Sequence, residues 1–179
     1  MQDTRNVIDT YKGQPMEAII HDLDAHGVSL EIAVENLTRD FNMGTIIRSA
    51  NAFGVRHIHI IGRRQWNKRG AMMTDKYLHL HYYESVDEFV VAMADKQVIA
   101  IDNVEGSVPL AGVAFTTDTV LVFGSEGEGL SEDMLNRSAQ VVAIEQFGST
   151  RSLNVGVAAG VVMYEWVRQC VLTATDIAR

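Results

Sequence analysis

The sequence predicts an α/β protein: a Rossmann-like, mostly parallel sheet with helices on both faces. Short apolar runs of strand length alternate with segments of helical spacing, the pattern of strand–helix–strand crossovers. One run, TVLVFG at 119–124, is apolar without interruption, as a strand covered on both faces must be. Three loops rich in glycine and small polar residues directly follow expected strands, where ligands bind in such sheets.

Taken in order, Pro15 opens a helix running to about His26, with Gly27 just past its end. LEIAVE at 30–35 alternates and reads as a strand. Asn42 suits the cap of a helix through Phe53, closed by Gly54. Its apolar stripe is Met43, Ile46, Ile47, Ala50 and Phe53, and Arg48 stands among small residues that leave it room. VRHIHIIG at 55–62 and YLHLHYY at 77–83 are the next strands, separated by a loop with room for a short helix. Val86 to Asp95 has helical spacing and QVIAID at 97–102 is a strand. After TVLVFG, Ser131 caps a short helix, VVAIEQ at 141–146 is a strand, and a long helix begins near Leu153. No repeat, low-complexity segment or linker divides the chain, so residues 1–179 are expected to form a single domain, with about 1–29 a short helical extension.

A chain of 179 residues can bury a core without staples. Its one cysteine, Cys170, excludes an internal disulfide, cannot build a Cys-rich zinc site, and suggests a reducing compartment. With no basic start leading into an apolar run, and no window approaching the ~18 apolar residues of a span, a soluble cytoplasmic protein is expected. The net charge of −8 at first opposes a polyanionic partner. Its distribution does not: Arg39, Arg48, Arg56, Arg63, Arg64, Lys68 and Arg69 fall in one segment whose only acid is Asp40. A local basic face on an acidic body is compatible with nucleic acid, although a solvated loop would account for 63–69 alone.

The three loops are NMGTIIR at 42–48, FGSEGEGLS at 123–131 and EQFGSTRSLNVG at 145–156. Gly124, Gly127 and Gly129 suggest a phosphate cradle, but their spacing matches neither the dinucleotide nor the Walker pattern. Glu126 and Glu128 inside that turn would repel a pyrophosphate, so a neutral or cationic ligand suits it better. In the third loop Ser152 and Asn154 either cap the last helix or also face a ligand. Gly156, Ala159 and Gly160 allow another backbone close to that helix, by core packing or at a subunit interface. His57 and His59 share one side of a strand, as do His79 and His81. With no acid or cysteine at ligand spacing they read as strand histidines rather than a metal site. Ser125 and Ser149 lack a nucleophile-elbow setting.

Together, NMGTIIRSANAFGV, FGSEGEGLS and IEQFGSTRSLNVGVAAGVVMYE resemble, in order and spacing, the three motifs of the SpoU (TrmH-like) branch of the SPOUT methyltransferase superfamily, over roughly residues 31 to 166. The resemblance implies a homodimeric, S-adenosyl-L-methionine-dependent RNA 2′-O-ribose methyltransferase with a C-terminal deep trefoil knot. By base rate alone an ordinary unknotted sheet would have been chosen. Carried over, Gly124, Ser125, Glu126, Gly129, Ile144, Ser152 and Leu153 would bind the cofactor. Arg48, Asn42, Glu126, Ser152 and Asn154 match the family's catalytic polar residues. Gly156 stands where many members carry serine. Arg39, Arg48, Arg63, Arg64, Lys68 and Arg69 would grip RNA, and no metal is implied.

A ribose hydroxyl is a very weak acid, so such a site must align its oxygen with the methyl and assist loss of a proton. The resemblance assigns that assistance to Arg48. A guanidinium normally gives up its proton only above pH 12, so two roles stand open: proton acceptor, or cation clamping a phosphate and stabilising the developing alkoxide. The clamp needs less perturbation. A non-catalytic RNA-binding protein of the same fold, and a base-methylating SPOUT enzyme, are the alternatives; Arg48 and the STRSLN loop favour the ribose methyltransferase. The RNA and nucleotide are not named by the sequence; tRNA is favoured over rRNA.

Overall fold

The structure, a computed structural model, describes residues 5–36, 42–125 and 127–173. Its seven strands are β1 (Glu31–Asn36), β2 (His57–Gly62), β3 (His79–Tyr83), β4 (Gln97–Ile101), β5 (Val108–Pro109), β6 (Thr119–Phe123) and β7 (Gln140–Ala143). They form one sheet in the order β3-β2-β1-β6-β4-β7-β5, with every pair parallel. The expected α/β architecture is therefore present. The two-residue β5 was not foreseen, being too short to show a period.

The helices are α1 (Met16–His26), α2 (Asn42–Ala52), α3 (Val86–Ala92), α4 (Glu132–Arg137) and α5 (Val155–Val167), the last continuing into a wider π-type turn over Arg168–Leu172. Alternation along the central strands decides which helix covers which face. Ile32 and Val34 of β1, Ile58 and Ile60 of β2, and Leu121 and Phe123 of β6 pack with Met43, Ile46 and Ile47 of α2 and with Ala159, Val162 and Trp166 of α5. Ala33, Ala100, Val120 and Val122 point the other way, against Phe89 of α3 and Met134 of α4. TVLVF is buried at every position, as a strand covered on both faces requires.

Several elements differ from expectation. Asn42 is the first helical residue of α2 and its side chain is bonded to another loop; VVAIEQ leaves the sheet at Ala143; and the loop after β2 folds into two 3-10 turns, Arg69–Ala71 and Thr74–Tyr77. Gly44, one of the small residues near Arg48, is buried rather than open surface. A Cβ there would stand 2.7 Å from the Ala71 nitrogen, so its bareness seats the 69–71 turn against α2. Val155–Leu172 is, by length and composition, apolar enough to cross a membrane, contrary to the expectation that no window approached this. In the fold Gly156, Ala159, Val162, Met163 and Trp166 are buried, and Glu165 and Arg168 form an ion pair on its surface.

Candidate active site

A cavity of about 260 Å³ opens at the C-terminal ends of β4, β6 and β7. Its walls are 101–104, the loop after β6, the segment after β7 and the first turn of α5. The second and third motifs thus meet, as strand-end loops should in a parallel sheet.

The loop after β6 is folded on itself. Ser125 N–H donates to the Gly129 carbonyl (3.2 Å) and Gly129 N–H returns a bond to the Ser125 carbonyl (3.0 Å). Gly127 (φ +98) and Gly129 (φ +71) take backbone conformations that favour glycine. Asp102, at the end of β4, accepts the Leu130 N–H at 2.8 Å. Buried Glu35 of β1 accepts the Ser131 N–H at 2.8 Å, and the Ser131 hydroxyl caps α4 as expected. The Asn103 side-chain amide donates to the Arg151 carbonyl (2.9 Å), so the β4 loop holds both walls.

Asn154 joins the first and third motifs. Its Oδ1 accepts from Gly156 N and Val157 N, capping α5, while its Nδ2 donates to Asn42 Oδ1 at 2.8 Å. The cap and the bond to Asn42 are one arrangement, which locks the start of α5 to the start of α2; neither asparagine lines the cavity. A Cβ at Gly156 would lie 3.0 Å from Thr45 Cγ2 on α2, so glycine here lets the two helices approach closely.

Gly124, Ser125, Gly129, Ile144, Ser152 and Leu153 all line the cavity; Glu126 and Arg39 lie outside the described residues. The Ser125 hydroxyl is buried on the cavity wall with no hydrogen-bond partner among the described residues, an acceptor and donor left for a ligand. Arg48 is elsewhere. It is exposed on α2, its side chain has no hydrogen bond or ion pair among the described residues, and it does not line the cavity.

A model of the SpoU rRNA methylase family matches residues 29–164. The chain belongs to this family. Among curated relatives, it is 25% identical over 145 residues to the tRNA (guanosine(18)-2′-O)-methyltransferase of Escherichia coli K12, covering 78% of this chain and 63% of that protein. The chain thus spans less than two thirds of that relative's length. The fold matches the Aquifex aeolicus TrmH/SpoU tRNA modifying enzyme with a TM-score of 0.75 at 24% identity, over 86% of this chain and 81% of that one. A structure described as giving insights into 2-OH methylation of C/U34 on tRNA matches with a TM-score of 0.70 at 29% identity, over 81% and 97%. The SpoU methyltransferase AviRb from Streptomyces viridochromogenes, in complex with the cofactor AdoMet, matches with a TM-score of 0.67 at 28% identity, over 78% and 57%.

The basic surface of this SpoU family member is smaller than its sequence suggested. Arg56 is buried, pairs with Asp24 at 2.7 Å and donates to the Tyr77 carbonyl, so it braces the fold. Arg63, Arg64, Lys68 and Arg69 are exposed on the loop after β2. Lys68 pairs with buried Asp75 (3.0 Å) and lies over the Trp66 ring, and Arg64 lies over the Tyr82 ring.

The strand histidines have acidic partners that spacing could not show. His57, His79, His81 and His59 stack at 5.0–5.3 Å across β2 and β3. Glu31 of β1 takes a 2.6 Å bond from His59 and a 2.7 Å contact from Lys96; Asp24 of α1 meets His79 at 2.9 Å. Burial would push the Glu31 carboxyl up, but the His59 and Lys96 hydrogen bonds outweigh it and hold the group at about 2. Burial, with repulsion among the neighbouring imidazoles, lowers the pKa of His57 and His81.

The residues missed in the sequence are those of the β4 loop, above all Asp102 and Asn103. The strand-end argument applied to the three motifs would also have flagged IDNVEG, a polar pair and a glycine closing a strand.

Proposed function

We propose that this protein transfers a methyl group from S-adenosyl-L-methionine to a ribose 2′-hydroxyl of tRNA. The observation that carries the reading is the convergence of the second and third motifs on one cavity in a chain that belongs to the SpoU family. The names of the relatives, which act on tRNA ribose, favour tRNA. The cavity fits the cofactor chemically: it offers backbone amides and carbonyls, the Ser125 hydroxyl, which has no partner among the described residues, and the carboxylates of Asp102 and Glu128 on its lining for a cationic ligand. When bound, S-adenosyl-L-methionine supplies a methyl on a sulfonium whose departing thioether is neutral.

The chain's own residues do the rest. Gly124, Ser125, Gly129, Ile144, Ser152 and Leu153 hold the cofactor. Asn42 and Asn154 fix α2 relative to the cavity, and Glu126 belongs with them as a polar site residue. Arg48 acts as a cation that clamps an RNA phosphate and steadies charge developing on the ribose oxygen. Arg39, Arg63, Arg64, Lys68 and Arg69 grip the RNA backbone.

A homodimer belongs to the same reading. Val157, Val161 and Tyr164 form an exposed apolar stripe on α5, and Arg48 stands outside its own protomer's cavity. A second copy on this face would cover the stripe and bring another Arg48 to the site. Light scattering that finds only monomer at micromolar concentration opposes it. The trefoil knot is part of the same reading, supported by the family to which the chain belongs.

The test is incubation of the protein with labelled S-adenosyl-L-methionine and bulk tRNA or rRNA, followed by nucleoside analysis. A 2′-O-methylated nucleoside should appear with wild type and fall at least 100-fold with Arg48→Ala, while cofactor affinity is kept; the loss corresponds to about 2.7 kcal/mol of transition-state stabilisation. Cofactor binding without transfer to either RNA refutes the activity. Absence of cofactor binding leaves the RNA-binding alternative.

A further inference from the structure

Phe147 is 97% exposed, the most exposed of the large apolar side chains described. It stands two residues after Glu145, whose Oε1 accepts the Ala111 N–H at 3.0 Å, and four before Arg151, whose carbonyl accepts from Asn103. Both ends of the 145–151 segment are therefore tied down, so the ring is presented on an anchored loop. Gly148 follows it, and a Cβ there would meet nothing within 4 Å. Gln146, one Cα–Cα step of about 3.8 Å away, lines the cavity. The ring does not itself line the cavity, but its backbone stands one residue from the lining, within reach of the base of a nucleotide whose ribose enters the cavity.

An aromatic ring in water gains nothing from its own chain, and it offers a flat apolar face of the kind on which unstacked bases lie. Such stacking is indifferent to base identity and is separate from the phosphate grip of the arginines. We propose that Phe147 is an RNA-positioning residue that stacks on the target base or its immediate neighbour, holding the ribose over the cavity. This rests on the ribose-methyltransferase reading above.

The experiment compares wild type with Phe147→Ala, Phe147→Leu and Phe147→Trp. It measures methyl transfer to bulk tRNA over a range of RNA concentrations, S-adenosyl-L-methionine affinity by calorimetry, and mass by light scattering. The expected result is a KM for RNA about 10-fold higher in Phe147→Ala and Phe147→Leu, near wild type in Phe147→Trp, with cofactor affinity and mass unchanged. Equal KM in wild type and Phe147→Ala overturns the proposal. Leucine performing as well as tryptophan overturns it too, since any apolar contact would then suffice. A change of mass that accounts for the kinetic loss shows Phe147 to be a subunit contact instead. If wild-type protein methylates no RNA, the functional reading itself fails and the proposal falls with it, an outcome distinct from the other three.

Discussion

Alanine at Gly124 would place a Cβ 2.2 Å from the Gly129 carbonyl carbon, 2.3 Å from its oxygen and 2.5 Å from the Leu130 nitrogen. All three neighbours are backbone, so no side chain can rotate away. Gly124 is not among the residues with positive φ, so the strain is purely one of space. Relief requires the 125–129 turn to move outward, opening the paired Ser125–Gly129 bonds and pulling Leu130 from Asp102. Overpacking costs about 1–3 kcal/mol and each weakened hydrogen bond about 1 kcal/mol. With partial relaxation a net loss of about 2–3 kcal/mol is expected, lowering Tm by roughly 5–10 °C for a chain of this size. The same movement displaces the cavity wall, so affinity for S-adenosyl-L-methionine should fall at least ~10-fold, about 1.4 kcal/mol. Differential scanning calorimetry and titration calorimetry measure both quantities. Gly112→Ala is the control, because a Cβ there meets nothing within 4 Å. Equal Tm and Kd in the two variants would refute the reasoning.

Other perturbations test other parts of the structure. Glu31 titrates at about 2 when folded against a usual 4.5, so its stabilisation is present above pH 4.5 and lost as pH falls toward 2. The difference amounts to about 3 kcal/mol, and urea midpoints should fall less steeply over that range in Glu31→Gln than in wild type. His57 and His81 have lowered folded pKa values, so their titration is neutral toward the fold above pH 6.5 and costs stability as pH drops below it. Replacing His81 by glutamine should flatten the urea midpoint between pH 6.5 and 5. Asn154→Ala removes the α5 cap and the bond to Asn42, for a loss of about 2 kcal/mol; a Tm within 1 °C of wild type would contradict the coupling of the two helices. RNA affinity should weaken with salt, and Arg63→Ala with Arg64→Ala should reduce the slope of log K against log salt by about 1 to 2; an unchanged slope would remove these residues from the RNA surface.

Local features were legible in the sequence because they leave a local signal. Strand periods, the Pro15 and Gly27 boundaries of α1, the Ser131 cap and the continuous TVLVF strand each depend on neighbours within a few residues, and all appear in the structure. The three motifs named the family before any coordinate, since order and spacing survive where contacts are unseen. Tertiary structure alone decided what distant residues do to one another. Asn42 could be read as a cap, but nothing local shows that its Oδ1 accepts from Asn154, 112 positions away. Arg56 looked like part of a basic face until Asp24, 32 residues earlier, was found beside it. Glu31 and Asp24 come to the histidines from β1 and α1, and Asp102 meets Leu130 across 28 residues. Periodicity and capping report which way a side chain leaves its own element, whereas pairing across the sheet is set by which elements pack together. That is why part of the cavity lining was readable from the sequence, and the bonds that hold the cavity in shape were not.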